Sequence, residues 1–152
     1  MSVTVRKVRK SDKSAWLHLR RKLWPGPREM HRTEIKNLLG KRGFVCFLAW
    51  NRKKAIGFSE AFIRQFANGC HEQPVPFLEG LWVDPRFRRR NVGRQLVEAV
   101  EKWALNKGFN ELGSDAYISA HISHKAHAAY GFKETERVVY FRKPLDMKTK
   151  NS

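Results

Sequence analysis

The chain has 152 residues, of which 31 are lysine or arginine and 14 are aspartate or glutamate, so its formal net charge is +17 at pH 7. This length predicts one domain that buries its core without disulfides or metals. No apolar stretch has the length of a membrane span, and the N-terminus lacks a signal-peptide apolar region. Cys46 and Cys70 lie in settings that give no reason to pair them, so we expect a cytoplasmic protein with two reduced thiols. The charge favours nucleic acid, an anionic surface or a phosphorylated ligand as partner.

The first half of the chain alternates between strand and helix patterns. In order, the predicted elements are a strand over 3–8, a helix capped by Ser11 and ending at 24–26, a short helix over 33–39, and strands over 43–50 and 55–64. Trp24 stands at the end of the first helix, where a large aromatic side chain either plugs the core or forms the wall of a substrate cleft. Glu60 lies in the last of these strands, and a lone strand carboxylate is more often solvent-facing than functional.

Residues 65–76 predict a loop that is longer than usual and carries the aromatic Phe66, which makes it a candidate binding loop. The strand that follows, 77–83, is apolar except for Glu79 and Gly80. Glycine inside a strand often marks a bulge or the close approach of a ligand. Pro85 then ends the strand, because proline has no amide donor and biases the residue before it towards extended geometry.

The second half predicts two further helices and two further strands. In order, these are a helix from about Val92 to Gly108, a strand over 111–115, a helix over 124–130, a strand over 135–142 and a polar tail over 146–152. Mixed strands with interspersed helices indicate an α/β fold with one mixed sheet. We therefore predict a single domain over 1–145, followed by the tail.

The corner between the central strand and the next helix predicts an anion site. Unpaired amides at a helix start, the positive end of the helix dipole and the arginines of 86–94 together favour a phosphate-bearing ligand, and we place a pyrophosphate there. The arginine run could instead form a nucleic-acid patch. The sequence shows no recognition-helix or stacking-platform pattern, so nucleic-acid binding by a non-catalytic protein is the alternative and not the main expectation.

The order of the elements, a bulge-prone strand followed by the arginine- and glycine-containing turn, and the sequence Tyr130-Gly131-Phe132 resemble the GNAT superfamily of acetyl-CoA-dependent N-acetyltransferases. More narrowly, several ordered motifs resemble the bacterial aminoglycoside 6'-N-acetyltransferases. They are Leu23-Trp24-Pro25-Gly26, Asn68-Gly69-Cys70, Phe77-Leu78-Glu79-Gly80, Asn106-Lys107-Gly108, Ser114-Asp115 and the run over 131–143. This likeness extends from Trp16 to Lys143.

The resemblance implies a GNAT-type domain whose mixed, mostly antiparallel central sheet is flanked by helices, and an antibiotic-resistance enzyme that acetylates the 6'-amine of aminoglycosides. It implies that the substrate pocket is lined by Trp24, Phe66, Glu79, Asp115 and Glu136. It implies that acetyl-CoA is held by the backbone of Leu81, Trp82 and Val83 and, at the pyrophosphate, by Arg89, Arg90, Asn91, Val92, Gly93 and Arg94. It also suggests a homodimer. Another amine, such as a polyamine or a protein terminus or lysine, remains the alternative substrate.

Three positions depart from the family pattern. Asn91 replaces the first glycine of the phosphate signature, and asparagine is the non-glycine residue that best tolerates positive φ. Phe66 stands where a tyrosine is expected, and Ala120 stands where these enzymes often carry an asparagine that touches the cofactor. The high positive charge favours the cofactor's phosphates and opposes long-range capture of a polycation.

Acetyl transfer to an amine requires a neutral nitrogen, a donor for the oxyanion and a proton source for the thiolate. Glu79 is the candidate proton acceptor, against the alternative of a structural salt bridge. Asp115 either contacts substrate or caps a helix, and Glu136 either contacts substrate or is a solvated strand residue. His127 stands where many GNAT enzymes carry the tyrosine that reprotonates the thiolate, and a packed helix histidine is the competing interpretation.

Three histidines, at 121, 124 and 127, recur every third residue. A helix spreads this spacing around its axis, and no carboxylate or cysteine completes a ligand set. The sequence therefore predicts no metal site.

Overall fold

The computed structural model describes residues 2–146, in which one five-stranded sheet has the order β1-β2-β3-β4-β5. The strands are β1 (Thr4–Lys7), β2 (Phe44–Asn51), β3 (Lys54–Arg64), β4 (Val75–Val83) and β5 (Gly113–Ser114). The helices are α1 (Lys13–Leu23), α2 (Arg28–Leu38), α3 (Val92–Asn106) and α4 (His121–Ala129), with 3-10 turns at Lys10–Asp12 and Pro85–Phe87.

Strands β1 to β4 pair antiparallel, and β5 joins β4 in parallel. The mixed, mostly antiparallel sheet flanked by helices confirms the predicted fold class. Side chains alternate across the sheet because successive residues of a strand point to opposite faces. On β2, Cys46 and Leu48 therefore pack with α1 and α2, whereas Val45 and Ala49 face α3. The helices thus enclose both faces of the sheet.

Helix α3 follows the central strand and is held by one apolar stripe. Val92, Leu96, Val100 and Ala104 are all buried against the sheet, and burying each valine or leucine side chain stabilises the fold by about 1.5–3 kcal/mol. The helix ends as predicted at Gly108, whose φ of +90° lets its amide turn back to Leu105. This packing fixes where the helix start lies relative to the end of β4.

A β-bulge interrupts the pairing of β3 with β4. Glu60 pairs with Gly80 and Ala61 pairs with Leu78, so Glu79 is the extra residue of β4 and has no partner in β3. The bulge predicted from the Glu79-Gly80 dipeptide is therefore confirmed. A bulge bends its strand and redirects the side chain of the extra residue.

The predicted final strand over 135–142 is wrong. Residues 133–146 are exposed and pair with no strand among the residues described. The Val-, Tyr- and Phe-rich composition indicates strand preference, but such preference depends on a neighbouring strand against which the side chains pack. Several helix and strand boundaries also shift: α1 begins at Lys13, α2 spans Arg28–Leu38, β4 begins at Val75, β5 is only Gly113–Ser114, and α4 starts three residues early at His121.

The expectation that Glu60 faces solvent is also wrong, since only 2% of this residue is exposed. Arg20 and Trp16 supply the positive charge and the donor that a buried carboxylate requires. The predicted tail over 146–152 lies outside the described residues except for Asp146. Among the residues that the structure describes, no helix has the length and apolarity needed to cross a lipid bilayer.

Candidate active site

A gap opens between β4 and β5. These strands pair only at Phe77 with Gly113 and at Leu78 with Ser114, while β4 continues to Val83 with β3 as its sole strand partner among residues 2–146. One edge of β4 beyond the bulge is therefore open to an extended ligand, which can bind it like an added strand. The sequence-predicted cofactor segment 81–83 forms this edge. The Val83 carbonyl already accepts from Nε of Arg88 at 3.0 Å, so it is engaged within the chain.

The start of α3 lies at the end of this edge. Asn91 precedes the helix in the left-handed conformation, with φ of 62°, and no side chain caps the helix start. The amides of Val92, Gly93 and Arg94 belong to the first turn and have no acceptor within the helix. Together with the dipole and the neighbouring arginines they form a cradle that fits a pyrophosphate. The positive φ predicted for Asn91 is confirmed, and Arg89, with φ of 61°, shares it.

Replacing Asn91 with alanine should lower the free energy of unfolding by about 1 kcal/mol. Alanine has a Cβ atom but no polar group that can hydrogen-bond to the nearby backbone, so it tolerates positive φ poorly. Asn91→Gly is the matched control and should be as stable as the wild type or more so. Urea unfolding of the three proteins measures this. Equal stability of the alanine and glycine variants would contradict a strained backbone at this turn.

Two contacts attach the end of α4 to this cradle. A Cβ atom built on Gly93 would lie 2.2 Å from Oη of Tyr130, so only glycine leaves room for the tyrosine. Nη2 of Arg94 donates to the carbonyl of Ala129 at 2.7 Å. The Arg94 side chain is thus engaged with α4, and its part in the cradle is its backbone amide. Tyr130 was read from the sequence only as part of a family motif.

Asp84 fixes the corner between β4 and the cradle. Its Oδ1 accepts from the amide of Arg86 at 3.0 Å, and its Oδ2 lies 2.9 Å from the Arg86 guanidinium. The hydrogen bond from the Arg86 side chain is the main cause that lowers the Asp84 pKa from 3.8 to about 2. The ionised carboxylate is therefore the form that the folded protein prefers.

This pKa predicts how stability depends on acid. Because the pKa of Asp84 is lower in the folded state, its carboxylate stabilises the fold above pH 3.8, and this contribution is lost as the pH falls from 3.8 to about 2. Asp84→Asn keeps a carbonyl acceptor but has no such titration. The difference in free energy of unfolding between wild type and variant should therefore shrink across this window. A difference that stays constant down to pH about 2 would contradict the assignment.

Glu79, the bulged residue, forms a bidentate ion pair with Arg64. Nε and Nη2 of Arg64 lie 2.7 Å and 2.6 Å from the two carboxylate oxygens, and the guanidinium stacks 3.6 Å from the Phe77 ring centroid. The hydrogen bond to Glu79 raises the pKa of Arg64, and Asp115 and Tyr140 act on the same group electrostatically. Arg64 is thus the direct partner of Glu79. No motif marks Arg64, so sequence reasoning missed it.

Three further predicted substrate residues lie on three different segments of the chain: Trp24, Phe66 and Asp115. The Trp24 ring packs on Gly80, where a built Cβ would lie 2.5 Å from Cη2 of the ring. Phe66 is 57% exposed on the loop before β4. Asp115 directly follows β5 and is exposed, and α4 begins only at His121, which excludes the helix-cap interpretation for this aspartate.

Glu136 lies on the exposed C-terminal segment. A Cβ built on Gly69 would lie 3.6 Å from Oε1 of Glu136, so this carboxylate is next to the loop that carries Phe66. The structure therefore places Trp24 next to the bulge and Glu136 next to the loop that carries Phe66.

His127 links α4 to β5. Its Nδ1 lies 2.7 Å from the carbonyl oxygen of Ser123, and a carbonyl only accepts, so Nδ1 carries a proton. In the neutral ring, Nε2 then accepts from the Ser114 hydroxyl at 2.7 Å. The ring also packs edge-to-face on Phe132. Ser114 sits next to Asp115 at the end of β5, so this pair faces the gap between the strands; sequence reasoning did not single out Ser114 for this contact.

The three histidines of α4 do not form one cluster. His121 and His124 contact each other edge-to-face, whereas His127 is directed to the two serines. Over residues 2–146 no group of three or more His, Cys, Asp or Glu side chains is arranged to hold a metal ion.

Comparison with known proteins agrees with this geometry. Residues 12–132 match the acetyltransferase (GNAT) family. The aminoglycoside N(6')-acetyltransferase type 1 of Salmonella enteritidis is 43% identical over 141 residues, covering 91% of this chain and 97% of that protein. The protein of the same name from Stenotrophomonas maltophilia is 39% identical over 144 residues and covers 94% of each chain.

Solved structures agree as well. The structure of AAC(6')-Iy in complex with the bisubstrate analogue CoA-S-monomethyl-acetylneamine is similar at a TM-score of 0.91 and 41% identity, covering 95% of this chain and 100% of that chain. AAC(6')-Ih from Acinetobacter baumannii has the same TM-score of 0.91 at 39% identity, with 95% of this chain and 100% of that chain covered. The chain belongs to the acetyltransferase (GNAT) family and, within it, to the aminoglycoside N(6')-acetyltransferases. The family predicted from the motifs is confirmed.

Proposed function

We propose that this protein transfers the acetyl group of acetyl-CoA directly to the 6'-amine of an aminoglycoside. The observation that carries the proposal is the junction of two features: the open β4 edge with its anion cradle, and the carboxylate of Glu79 at the bulge of the same strand. Support comes from the relatives named as aminoglycoside N(6')-acetyltransferases and from the bisubstrate analogue, built on CoA and an acetylated aminoglycoside, in AAC(6')-Iy.

Backbone groups of the protein hold acetyl-CoA, the acetyl donor. The pantetheine arm lies along residues 81–83, and the amides of the turn over 89–94 surround the pyrophosphate. Main-chain amides fixed by α3 packing need no side-chain rearrangement to bind an anion. The bound thioester supplies the acetyl group, and the strand edge places it beside the bulge.

Charged and aromatic side chains hold the aminoglycoside, the acetyl acceptor. Glu79, Asp115 and Glu136 offer carboxylates to a substrate with several ammonium groups, through charge-assisted hydrogen bonds. Trp24 and Phe66 supply apolar faces for sugar rings. These local carboxylates offset the unfavourable net charge of +17 at short range, where screening by salt matters least.

Glu79 accepts the proton of the substrate ammonium, directly or through water. Each carboxylate oxygen has two lone pairs, and the bidentate contact with Arg64 occupies one on each oxygen. The second lone pair of each oxygen remains for an ammonium or a water. Removal of the proton gives the neutral amine that attacks the thioester, and a backbone amide near the bulge stabilises the oxyanion.

His127 and Ser114 return a proton to the departing thiolate. In the protonated ring, Nε2–H donates to Ser114 Oγ, whose own hydroxyl proton is then available to the thiolate, leaving a neutral histidine. His127→Ala should lower kcat about 10²-fold, and adding Ser114→Ala should cost little more because both act in one relay. His121→Ala, on the exposed part of the same helix, is the control. Additive losses in the double variant, measured by steady-state kinetics, would contradict the relay.

The protein acts as a homodimer. Support comes from the C-terminal arm, residues 133–146, which is exposed throughout. Its large apolar side chains include Tyr140 at 80% and Phe141 at 94% exposure. The side of β5 away from β4 has no partner strand among residues 2–146. A second copy can supply both the strand that the arm lacks and the cover for its side chains.

A cytoplasmic location fits this function. Acetyl-CoA is an intracellular metabolite, and Cys46 and Cys70 are both free thiols, as a reducing compartment requires.

Thiol release from acetyl-CoA across a panel of aminoglycosides, polyamines and peptides tests the proposed function. Turnover should be fastest with aminoglycosides that carry a 6'-amine. Faster turnover of a polyamine or peptide than of every aminoglycoside would overturn the substrate assignment, and no thiol release with any amine would overturn the activity.

A further inference from the structure

A buried ion pair between α1 and β3 lies outside the catalytic cluster. Glu60 is 2% and Arg20 is 6% exposed, and Arg20 Nε lies 2.8 Å from Glu60 Oε2. The same oxygen accepts from Nε1 of Trp16 at 2.8 Å, and Arg20 Nη1 reaches Oε2 of Glu34 on α2 at 2.5 Å. Arg20 therefore bridges two carboxylates from two elements.

Stability alone is a weak explanation for this pair. Removing two charges from water costs several kcal/mol per ion, and replacing a buried pair by apolar groups of similar volume is often neutral or stabilising. Burial is the largest influence on Glu60 and raises its pKa, and the opposing influence of Arg20 and Trp16 offsets this cost only in part. The pair sits in a core of aromatic and aliphatic side chains that could accept apolar replacements.

Both members of the pair touch the surroundings of Trp24. The Arg20 guanidinium lies 4.9 Å from the Trp24 ring centroid. Glu60 pairs with Gly80 across the two strands, and Gly80 is the residue on which the edge of the same ring packs. The ion pair thus links two contacts of Trp24. Arg20 lies over the face of the ring, and Glu60 is paired with Gly80, the strand residue beneath the edge of the ring.

The remaining contacts of Trp24 complete its immobilisation. Its carbonyl contacts Nε2 of the buried His31 at 2.8 Å, and its ring meets Phe58 edge-to-face with the centroids 5.9 Å apart. The guanidinium is the charged group among these contacts, and a cation over a tryptophan face is attracted by the ring quadrupole. The orientation of the ring therefore depends on where Arg20 is held, and the ion pair with Glu60 and the hydrogen bond to Glu34 together hold it.

We propose that Arg20 and Glu60 are positioning residues that fix Trp24 as a rigid wall of the amine-substrate pocket and thereby set affinity for the acceptor. This inference rests on the proposed function of Trp24 in that pocket. Neither residue touches the reacting atoms. Their effect is therefore expected on the acceptor's KM and not on the binding of acetyl-CoA.

A double-mutant cycle tests the proposal. Arg20→Met/Glu60→Gln removes both charges while keeping side-chain length, and it should raise the aminoglycoside KM about tenfold, the change expected from losing about 1.4 kcal/mol. The KM for acetyl-CoA should change less than about twofold. In a Trp24→Ala background the same pair of substitutions should have almost no further effect on the aminoglycoside KM, because the wall they orient is gone.

Arg6→Met/Asp12→Asn is the matched control. Arg6 and Asp12 also form a bidentate pair, with N–O distances of 2.7 Å and 3.1 Å, and Arg6 also lies over a tryptophan ring, that of Trp50. This control should leave the aminoglycoside KM unchanged. A purely structural role for the Arg20–Glu60 pair predicts equal losses with and without Trp24, or equal effects on both substrates, and either result would overturn the proposal.

A second readout is independent of activity. In protein labelled with 5-fluorotryptophan, the ¹⁹F resonance that disappears in Trp24→Phe belongs to Trp24. Arg20→Met/Glu60→Gln should shift or broaden this resonance in the free protein, and Arg6→Met/Asp12→Asn should not. An unchanged Trp24 resonance in the folded double variant would refute the positioning role. If the wild type releases no thiol with aminoglycosides, the proposed function fails, and this spectrum still decides whether the pair holds the ring.

Discussion

Glu79→Gln is expected to lower kcat for amine acetylation by about 10²-fold to 10³-fold, the range of a lost general base. Glutamine has nearly the shape of glutamate, so the bulge and the packing around it should persist. It cannot take a proton from the substrate ammonium, and it pairs less strongly with Arg64. Acetyl-CoA binding, which depends on the β4 edge and the α3 cradle, should remain within about twofold of wild type by calorimetry, since the cradle does not contact Glu79.

Two further variants separate base catalysis from a change in charge. Glu29→Gln removes the same charge from the exposed surface of α2, where Glu29 forms an ion pair with Arg32, and should leave kcat unchanged. Arg64→Gln frees both oxygens of Glu79 but leaves the base in place. It should therefore change substrate binding more than it lowers kcat. If Glu79→Gln turns over at the wild-type rate, Glu79 is a structural partner of Arg64 and has no part in the chemistry.

Val139→Asp/Phe141→Asp should convert a homodimer into a monomer, so that the mass measured by light scattering falls by half. Both side chains are exposed in the isolated chain, at 75% and 94%, and burying each against a second copy contributes about 1.5–3 kcal/mol. Charges placed there make such burial costly. The rate of acetylation should fall when the dimer is lost, because Glu136 lies on the same arm.

Met30→Asp is the matched control for this experiment. Met30 is 42% exposed on α2 and lies outside the arm, so its replacement makes a similar change on another surface. It should leave the mass unchanged. A wild-type protein that is monomeric at every concentration, or an arm variant that remains dimeric, would contradict the role given to the arm.

The parts of the site that depend on backbone could be predicted from the sequence. Gly80 next to a strand carboxylate indicated the bulge, and Asn91 before an apolar helical stripe indicated the left-handed turn and the cradle. Both are local: a few adjacent residues determine the φ values and the first turn of a helix. The β-rich apolar runs at 43–50, 55–64 and 77–83 likewise indicated the sheet, because strands that are buried on both faces read as near-continuous apolar runs.

The pairings of charged side chains could not be predicted in this way. Arg64 and Glu79 are fifteen residues apart, and only the register of β3 with β4 brings them together. Glu60 looked solvent-facing because its buried partner Arg20 lies on a different element. The segment over 135–142 has strand composition, yet composition does not say whether a partner strand lies next to it.

The most direct test of the account compares two aminoglycosides that are identical except for an amine or a hydroxyl at the 6' position, with acetyl-CoA as donor. The account predicts rapid thiol release and a singly acetylated product by mass spectrometry with the 6'-amine compound, and little of either with its 6'-hydroxyl counterpart. Equal turnover of the two compounds would contradict the 6'-amine as acceptor, and no turnover of either would contradict aminoglycoside acetylation itself.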